Sequence, residues 1–198
     1  LRNAVASVEQ TLPPKVKLDI AGDSSLFVRR DLDDIQTTLM LGVVLTGVVL
    51  LLFLHTLRST IIVLLSIPTS LISTFIVMSL MGFTLNMMSM LALALTIGIL
   101  VDDSIVVLEN IFRHLKLGET AWTAAIKGRS EIGLAAIAIT LVDVVVFVPV
   151  AFMSGVVGQF FRQFGLTIAA ATLFSLFISF TLTPMLASRW LRSVEDGR

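Results

Sequence analysis

The chain has 198 residues, with 14 basic and 14 acidic side chains and therefore no formal net charge. It is 56% hydrophobic and 14% charged, and its mean hydropathy is +0.98. Soluble domains carry roughly 25% charged residues, so this composition excludes an ordinary soluble domain. It also excludes disorder and offers no basic excess for a nucleic-acid partner, while the absence of Cys excludes disulfides and thiolate metal sites. The class that remains is an integral membrane protein.

The first 34 residues are polar and hold 11 of the 28 charged side chains. Within them, Pro13-Pro14 breaks the chain and Val16–Ile20 alternates in the manner of a β-strand. Because one strand cannot form a stable sheet by itself, its partners are expected in other parts of a longer polypeptide. Residues 1–34 are therefore interpreted as the end of a domain outside the membrane.

Five long apolar stretches follow. Each has 20 or 22 residues, close to the about 20 that a helix needs to cross a ~30 Å hydrocarbon core. None alternates as a membrane-barrel strand does. The predicted fold is an all-α membrane protein: a five-helix transmembrane bundle (35–187) with a short extracytoplasmic N-terminal segment that contains one β-strand. The predicted spans are 35–54, 60–81, 87–108, 132–153 and 166–187.

Lys and Arg are distributed unevenly between the two sides of this bundle. Eight of them lie on one side, in 55–59, in loop 109–131 and in the tail 188–198, whereas the short loops of the other side hold Arg162 alone. The positive-inside rule then places loop 109–131 and the C-terminus in the cytoplasm and the N-terminal segment outside.

Loop 109–131 is too long for a simple hairpin. A short helix is expected to begin after Thr120 and to end at Gly128. Trp122 and Ile126 would share one face of it, so this helix is interpreted either as amphipathic and lying on the membrane surface or as packed under its own bundle.

Three ionisable residues lie inside the predicted spans: Asp102, Asp103 and Asp143. An ionised Asp at a helix centre costs about 2.5–3.5 kcal/mol, so such residues usually mark function. Asp102 and Asp103 are adjacent, so they titrate as a coupled pair and can exchange protons. Asp143 either extends a proton path together with Thr140 or forms only local hydrogen bonds, to Thr140 or to the carbonyl freed by Pro149.

The surroundings of the acidic pair favour a buried site. Ala94, Gly98 and Asp102 are spaced by four and form a small-residue stripe against which another helix can pack closely. Asp103 lies about 100° further round the helix, towards the face of Thr96, a candidate for the proton path. We expect the pair to face neighbouring helices and the open side of the bundle, not lipid. No predicted span contains Lys or Arg, so a cationic partner has to come from outside them.

Two alternatives remain open, and neither is an enzyme. A methionine cluster could bind Cu(I) or Ag(I) and make the protein a metal exporter, although Met more often fills apolar gaps and no metal site is predicted. The bundle could also be a structural or translocation-assisting module. No Walker loop, HExxH or nucleophile elbow is present, which excludes ATPases and common hydrolases. The methionines are Met78, Met81, Met87, Met88 and Met90.

The segment "GILVDDSIVVLENIFRHL" (98–115) resembles the proton-relay helix of resistance–nodulation–division (RND) multidrug efflux pumps, the inner-membrane subunits of export systems. The flanking motifs agree in order through essentially the whole chain. The resemblance implies the end of a porter subdomain followed by transmembrane helices two to six of the first repeat, with Asp102 and Asp103 as the relay aspartates. The flanking motifs are "LFLHTLRSTIIVLLSIPTSL", "FTLNMMSMLALAL", "FVPVAFMSGVVGQFFRQFG" and "TLTPMLASRW".

The resemblance also implies an activity and partners. Inward proton flow would drive export of drugs or other amphiphilic compounds across the bacterial inner membrane, with the proton motive force as energy source and no cofactor. The expected partners are membrane lipid, the remainder of the polypeptide, two further copies in a homotrimer, a periplasmic adaptor and an outer-membrane channel.

Overall fold

A computed structural model describes residues 24–191, and the side chains of residue 33 and of residues 36–191. The chain divides into two compact units, 1–34 and 35–198. The predicted strand Val16–Ile20 lies outside the described residues. The described part is all-helical, as predicted. Its five helices are α1 Ser24–Leu54, α2 Leu57–Leu80, α3 Met87–Lys116, α4 Ala121–Ala151 and α5 Gly155–Trp190.

All five helices are long and apolar enough to cross a membrane, the apolar part of α1 being Gln36–Leu54. The prediction of five membrane-crossing helices is therefore confirmed. Several helices are longer than the predicted spans: α5 has 36 residues, which at 1.5 Å per residue gives about 54 Å against a hydrocarbon core of about 30 Å. The ends of the longer helices consequently extend past the apolar layer.

The prediction of a separate short helix ending at Gly128 is wrong. Helix α4 begins after Thr120, whose hydroxyl accepts a hydrogen bond from the Thr123 amide at 3.3 Å, and continues without a break to Ala151. A Cβ atom on Gly128 would lie 2.8 Å from the backbone N and Cα of Ile111 in α3. Glycine is therefore needed here for the close approach of two helices, not to end one. Ala124, Ala125 and Gly128 face the bundle, whereas Trp122 and Ile126 are exposed, so the choice between the two interpretations of the Trp122 face stays open.

Helix α5 lies at the centre of the bundle and packs against α2, α3 and α4. Two hydroxyl groups of α5 reach α3: Ser175 donates to the Leu100 carbonyl at 2.9 Å, and Thr183 donates to the Ser104 hydroxyl at 3.3 Å. Without a hydrophobic driving force in lipid, membrane helices associate through close packing and such hydrogen bonds. These bonds fix α3 against α5.

The turn between α3 and α4 is held by charged groups. The buried His114 ring lies between two carboxylates, with Nδ1 3.2 Å from Glu119 and Nε2 3.2 Å from Glu131, at ion-pair distance but without hydrogen-bond alignment. Glu131 also pairs with Arg113. Lys127 donates to Glu119 at 2.8 Å, and this hydrogen bond lowers the pKa of the Glu119 carboxyl. The end of α3 and the start of α4 are thereby fixed relative to each other.

Helix α3 is also fixed at its other end. The Asn86 side-chain oxygen accepts hydrogen bonds from the backbone amides of Met88 and Ser89 at 3.0 and 3.1 Å. In return, the Ser89 hydroxyl accepts a hydrogen bond from the backbone amide of Asn86 at 2.9 Å. This reciprocal capping box satisfies amides that have no partner within the helix. The side-chain NH₂ group of Asn86 also donates a hydrogen bond to the Gln163 side chain of α5.

The close approach at Gly128 gives a first prediction. Gly128→Ala in the full-length protein forces α3 and α4 apart and should lower the free energy of unfolding by about 1–3 kcal/mol, the usual effect of overpacking. The matched control is Gly133→Ala on the same helix, where an added Cβ meets only the Phe180 ring edge at 4.0 Å. That variant should be neutral or slightly more stable. Unfolding in mixed detergent micelles measures both, and equal effects would contradict the close approach.

Candidate functional site

Asp103 is the buried acid of the bundle, with 7% of its surface exposed. Two helices approach it. From α4, Thr140 Oγ1 lies 3.2 and 3.3 Å from the two carboxylate oxygens and donates to them. From α5, the buried Ser175 lies close to Asp103, but its hydroxyl donates to the Leu100 carbonyl at 2.9 Å and not to the carboxylate. The expectation that Asp103 faces two neighbouring helices agrees with this arrangement.

The Thr140 hydroxyl has two acceptors but only one proton to donate. It lies 3.0 Å from the Ala136 carbonyl of its own helix as well as against Asp103. When it donates to the carbonyl, its oxygen lone pairs are available to accept a hydrogen bond from a protonated Asp103. The Thr140 hydroxyl can therefore satisfy Asp103 in either protonation state.

Asp102 points away from this interior and is exposed. Within residues 36–191, no group forms a hydrogen bond or ion pair with the Asp102 carboxylate. Gly98, one turn earlier, is also exposed, and a Cβ added there would meet no atom within 4 Å. The stripe of Ala94, Gly98 and Asp102 is thus an open face of α3. The expectation that both acids face the open side of the bundle holds for Asp102 and is wrong for Asp103, because consecutive residues of a helix are about 100° apart.

Asp143 is half-buried on α4 and lies close enough to interact electrostatically with Asp102 and Asp103. The suggested hydrogen bond from Thr140 to Asp143 is absent from the described residues, since Thr140 faces Asp103 and Ala136 instead. Three carboxylates therefore share one region of the bundle, and Asp103 alone has a hydroxyl donor there among the described residues.

Thr96 lies on the same face of α3 as Asp103, two turns earlier, and is fully buried. Its hydroxyl donates to the Leu93 carbonyl of its own helix at 2.8 Å. Ser175 was not predicted from the sequence as a residue near Asp103. The available signal is that hydroxyl residues recur at helical spacing along one buried face of α5. They are Thr172, Ser175, Ser179 and Thr183.

The methionine cluster is divided by the fold. Met78 and Met90 are buried in the bundle, whereas Met81 and Met87 are exposed. A soft-metal relay requires methionines that converge and are accessible, so this division gives no support to a metal exporter. Within the described part of the chain, no group of three or more His, Asp or Glu residues is placed to hold a metal ion.

Five membrane-crossing helices around an interior carboxylate define a polytopic membrane protein with a polar site inside the bilayer. The chain belongs to the AcrB/AcrD/AcrF family, whose model matches residues 1–198. It is 42% identical over 194 residues to the "Multidrug resistance protein MdtC" of Pectobacterium carotovorum subsp. carotovorum (strain PC1), covering 98% of this chain and 19% of that protein.

The MdtC of Yersinia enterocolitica serotype O:8 / biotype 1B is 40% identical over 198 residues, which cover all of this chain and 19% of that protein. The resemblance to RND multidrug efflux pumps is confirmed by these comparisons. The chain spans about a fifth of the length of these relatives.

The contact between Thr140 and Asp103 gives a second prediction. Thr140→Val in the full-length protein leaves a buried carboxylate without its α4 donor and should lower stability at neutral pH by about 1–3 kcal/mol. Thr140→Ser keeps a hydroxyl donor and should therefore retain most of the parental stability. The matched control is Thr74→Val, which removes a buried hydroxyl that bonds only the Ser70 carbonyl of its own helix at 2.8 Å. Equilibrium unfolding of the three variants tests this, and equal losses in the two valine variants would contradict a special role for Thr140.

Proposed function

We propose that this chain is the proton-conducting membrane part of an antiporter that exports drugs or other amphiphilic compounds. The observation that carries the proposal is Asp103, a buried carboxylate inside the bundle whose Thr140 hydroxyl partner is suited to both of its protonation states. Membership of the family and the name of the MdtC relatives support drugs as the exported class. The substrate-binding region would lie in the rest of the polypeptide.

The proposed proton step uses the two alternative positions of the Thr140 hydroxyl hydrogen. With Asp103 ionised, Thr140 donates to it and holds α4 against α3. With Asp103 protonated, its O–H becomes a donor, and the Thr140 hydroxyl can donate instead to the Ala136 carbonyl. Proton binding thus changes the bond that joins α3 and α4, which is how it would be transmitted to the rest of the pump.

Asp102 has a different proposed task. It lies on the open stripe of α3, where Gly98 leaves room for another helix. A Lys or Arg of the remaining polypeptide is expected within about 4 Å of the Asp102 carboxylate, because a nearby cation favours release of its proton. Protonation would weaken that ion pair. Asp102 would respond to the other half of the pump and Asp103 to its own half.

The proposed setting is the bacterial inner membrane, with the N-terminal segment periplasmic and the C-terminus cytoplasmic. The α1–α2 and α3–α4 turns and the end of α5 then lie on the cytoplasmic side, where Arg58, Lys116 and Arg189 are found. Assembly as a homotrimer with a periplasmic adaptor and an outer-membrane channel is proposed from the family resemblance.

A third prediction tests the acidic pair in the full-length pump. Asp103→Asn and Asp102→Asn should each reduce proton-driven drug export to the level of cells without the pump, while expression and assembly stay normal. An amide side chain cannot bind and release a proton near neutral pH, so proton flow is no longer coupled to export. Asp143→Asn is the matched control, because it removes the charge of a neighbouring carboxylate. Among the described residues, no hydroxyl group donates to Asp143. This variant should keep most of the activity. Dye efflux from energised cells measures all three.

Export at the parental rate by either variant of the pair would contradict the proposed relay. Loss of export in Asp143→Asn with normal expression would instead make Asp143 a third member of the relay.

A fourth prediction tests the orientation. Single cysteines replacing Arg58 or Lys116 in a cysteine-free background should be protected from a membrane-impermeant maleimide in intact cells and react after permeabilisation. A cysteine replacing Arg162, at the opposite end, should react in intact cells. The reverse pattern would place the C-terminus outside.

A further inference from the structure

A groove of about 350 Å³ runs between α4 and α5, at the end of the bundle that carries the α3–α4 turn. Its walls are aromatic and apolar, with Trp122 and Ile126 on α4 and Phe180 on α5. A volume of this size falls in the range of small-molecule sites, about 300–1,000 Å³. The groove is distinct from the acidic site, and none of the three intramembrane carboxylates lines it.

One cation, Arg129, lies in this apolar groove. Its guanidinium carbon is 4.8 Å from the centre of the Phe180 ring, a cation–π contact that leaves the N–H donors free. The carboxylates nearest in sequence are engaged elsewhere, Glu131 with Arg113 and His114, and Glu119 with Lys127. Among the described residues no carboxylate pairs with Arg129, so the groove offers an uncompensated positive charge.

Hydroxyl groups flank this charge. Ser130 and Ser188 line the groove from α4 and α5, and the Ser130 hydroxyl forms no hydrogen bond with the described residues. A planar guanidinium beside a free hydroxyl donor is suited to phosphate oxygens, which Arg can bind through two parallel hydrogen bonds.

The groove also lies where a lipid headgroup would be. Trp122 and Ile126 line the groove on the turn side of Arg129, and on the other side Phe180 and, one turn earlier, the 63% exposed Phe177 continue as an apolar surface. Trp122 is 68% exposed in the first turn of α4, and Trp is favoured at membrane interfaces. A phosphate at Arg129 and an acyl chain directed towards Phe177 would match this arrangement.

We propose that this groove binds an anionic glycerophospholipid, with its phosphate on Arg129 and Ser130 and an acyl chain along Phe180 and Phe177. Basic pockets between membrane helices on the cytoplasmic side are suited to such headgroups. A zwitterionic lipid fits less well, because its ammonium group would lie beside the guanidinium.

The test uses the full-length protein, delipidated in detergent and titrated with equimolar phosphatidylglycerol and phosphatidylcholine of identical acyl chains. Native mass spectrometry gives the ratio of the two bound lipids. Arg129→Gln should reduce the preference for phosphatidylglycerol about fivefold, the effect of losing one interfacial cation. Arg129→Lys should keep most of it. The matched control is Lys116→Gln, an equal loss of charge at the same end of the bundle but outside the groove, and it should leave the ratio unchanged.

Three results would overturn the proposal. An unchanged ratio in Arg129→Gln would mean that another part of the polypeptide covers the groove or that no lipid binds there. An equal fall in Lys116→Gln would show general attraction of anionic lipid to the charged end of the bundle. Displacement of phosphatidylglycerol by millimolar inorganic phosphate would identify a site for soluble anions instead of lipid.

Discussion

The burial of the Asp103 carboxylate between α3, α4 and α5 is the constraint on which the rest of this bundle depends. A polar group inside a membrane protein needs protein partners, because lipid offers none. Thr140 of α4 supplies one, with the Ala136 carbonyl as its alternative acceptor, and Ser175 joins α5 to the Leu100 carbonyl of α3 one turn before Asp103. The three helices must therefore stay close enough for hydroxyl contacts, which favours small and hydroxyl side chains along their shared faces over larger apolar ones.

Contacts near the α3–α4 turn position α4 relative to α3, although they lie several turns away from Asp103. Thr96, Asp103 and His114 lie on one face of α3, because intervals of 7 and 11 residues bring a helix back to nearly the same direction. All three are buried. His114 and its two glutamates fix the end of that face, and Gly128 lets the α4 backbone lie against Ile111. The position of Thr140 opposite Asp103 follows from this close packing near the turn.

Two adjacent acids have opposite environments in this chain. Asp103 is enclosed by α4 and α5, whereas Asp102 lies on a face of α3 that no described helix covers. This chain spans 19% of the length of its MdtC relatives. A change of charge on Asp103 acts on its contact with α4, whereas a change on Asp102 acts at an exposed face of α3.

The all-α class, the five membrane-crossing helices and the acids within them could be predicted from the sequence, because the length and hydropathy of a segment decide whether it can cross a bilayer. The sequence also carried the motif that identifies the family. The packing of the helices was needed to show that Gly128 continues a helix, that Thr140 contacts Asp103 and not Asp143, and that Ser175 joins α5 to α3 beside Asp103. Those outcomes depend on which helix faces which. Helix spacing gives the face of a residue on its own helix, but the neighbour across that face is set by packing between segments far apart in the chain.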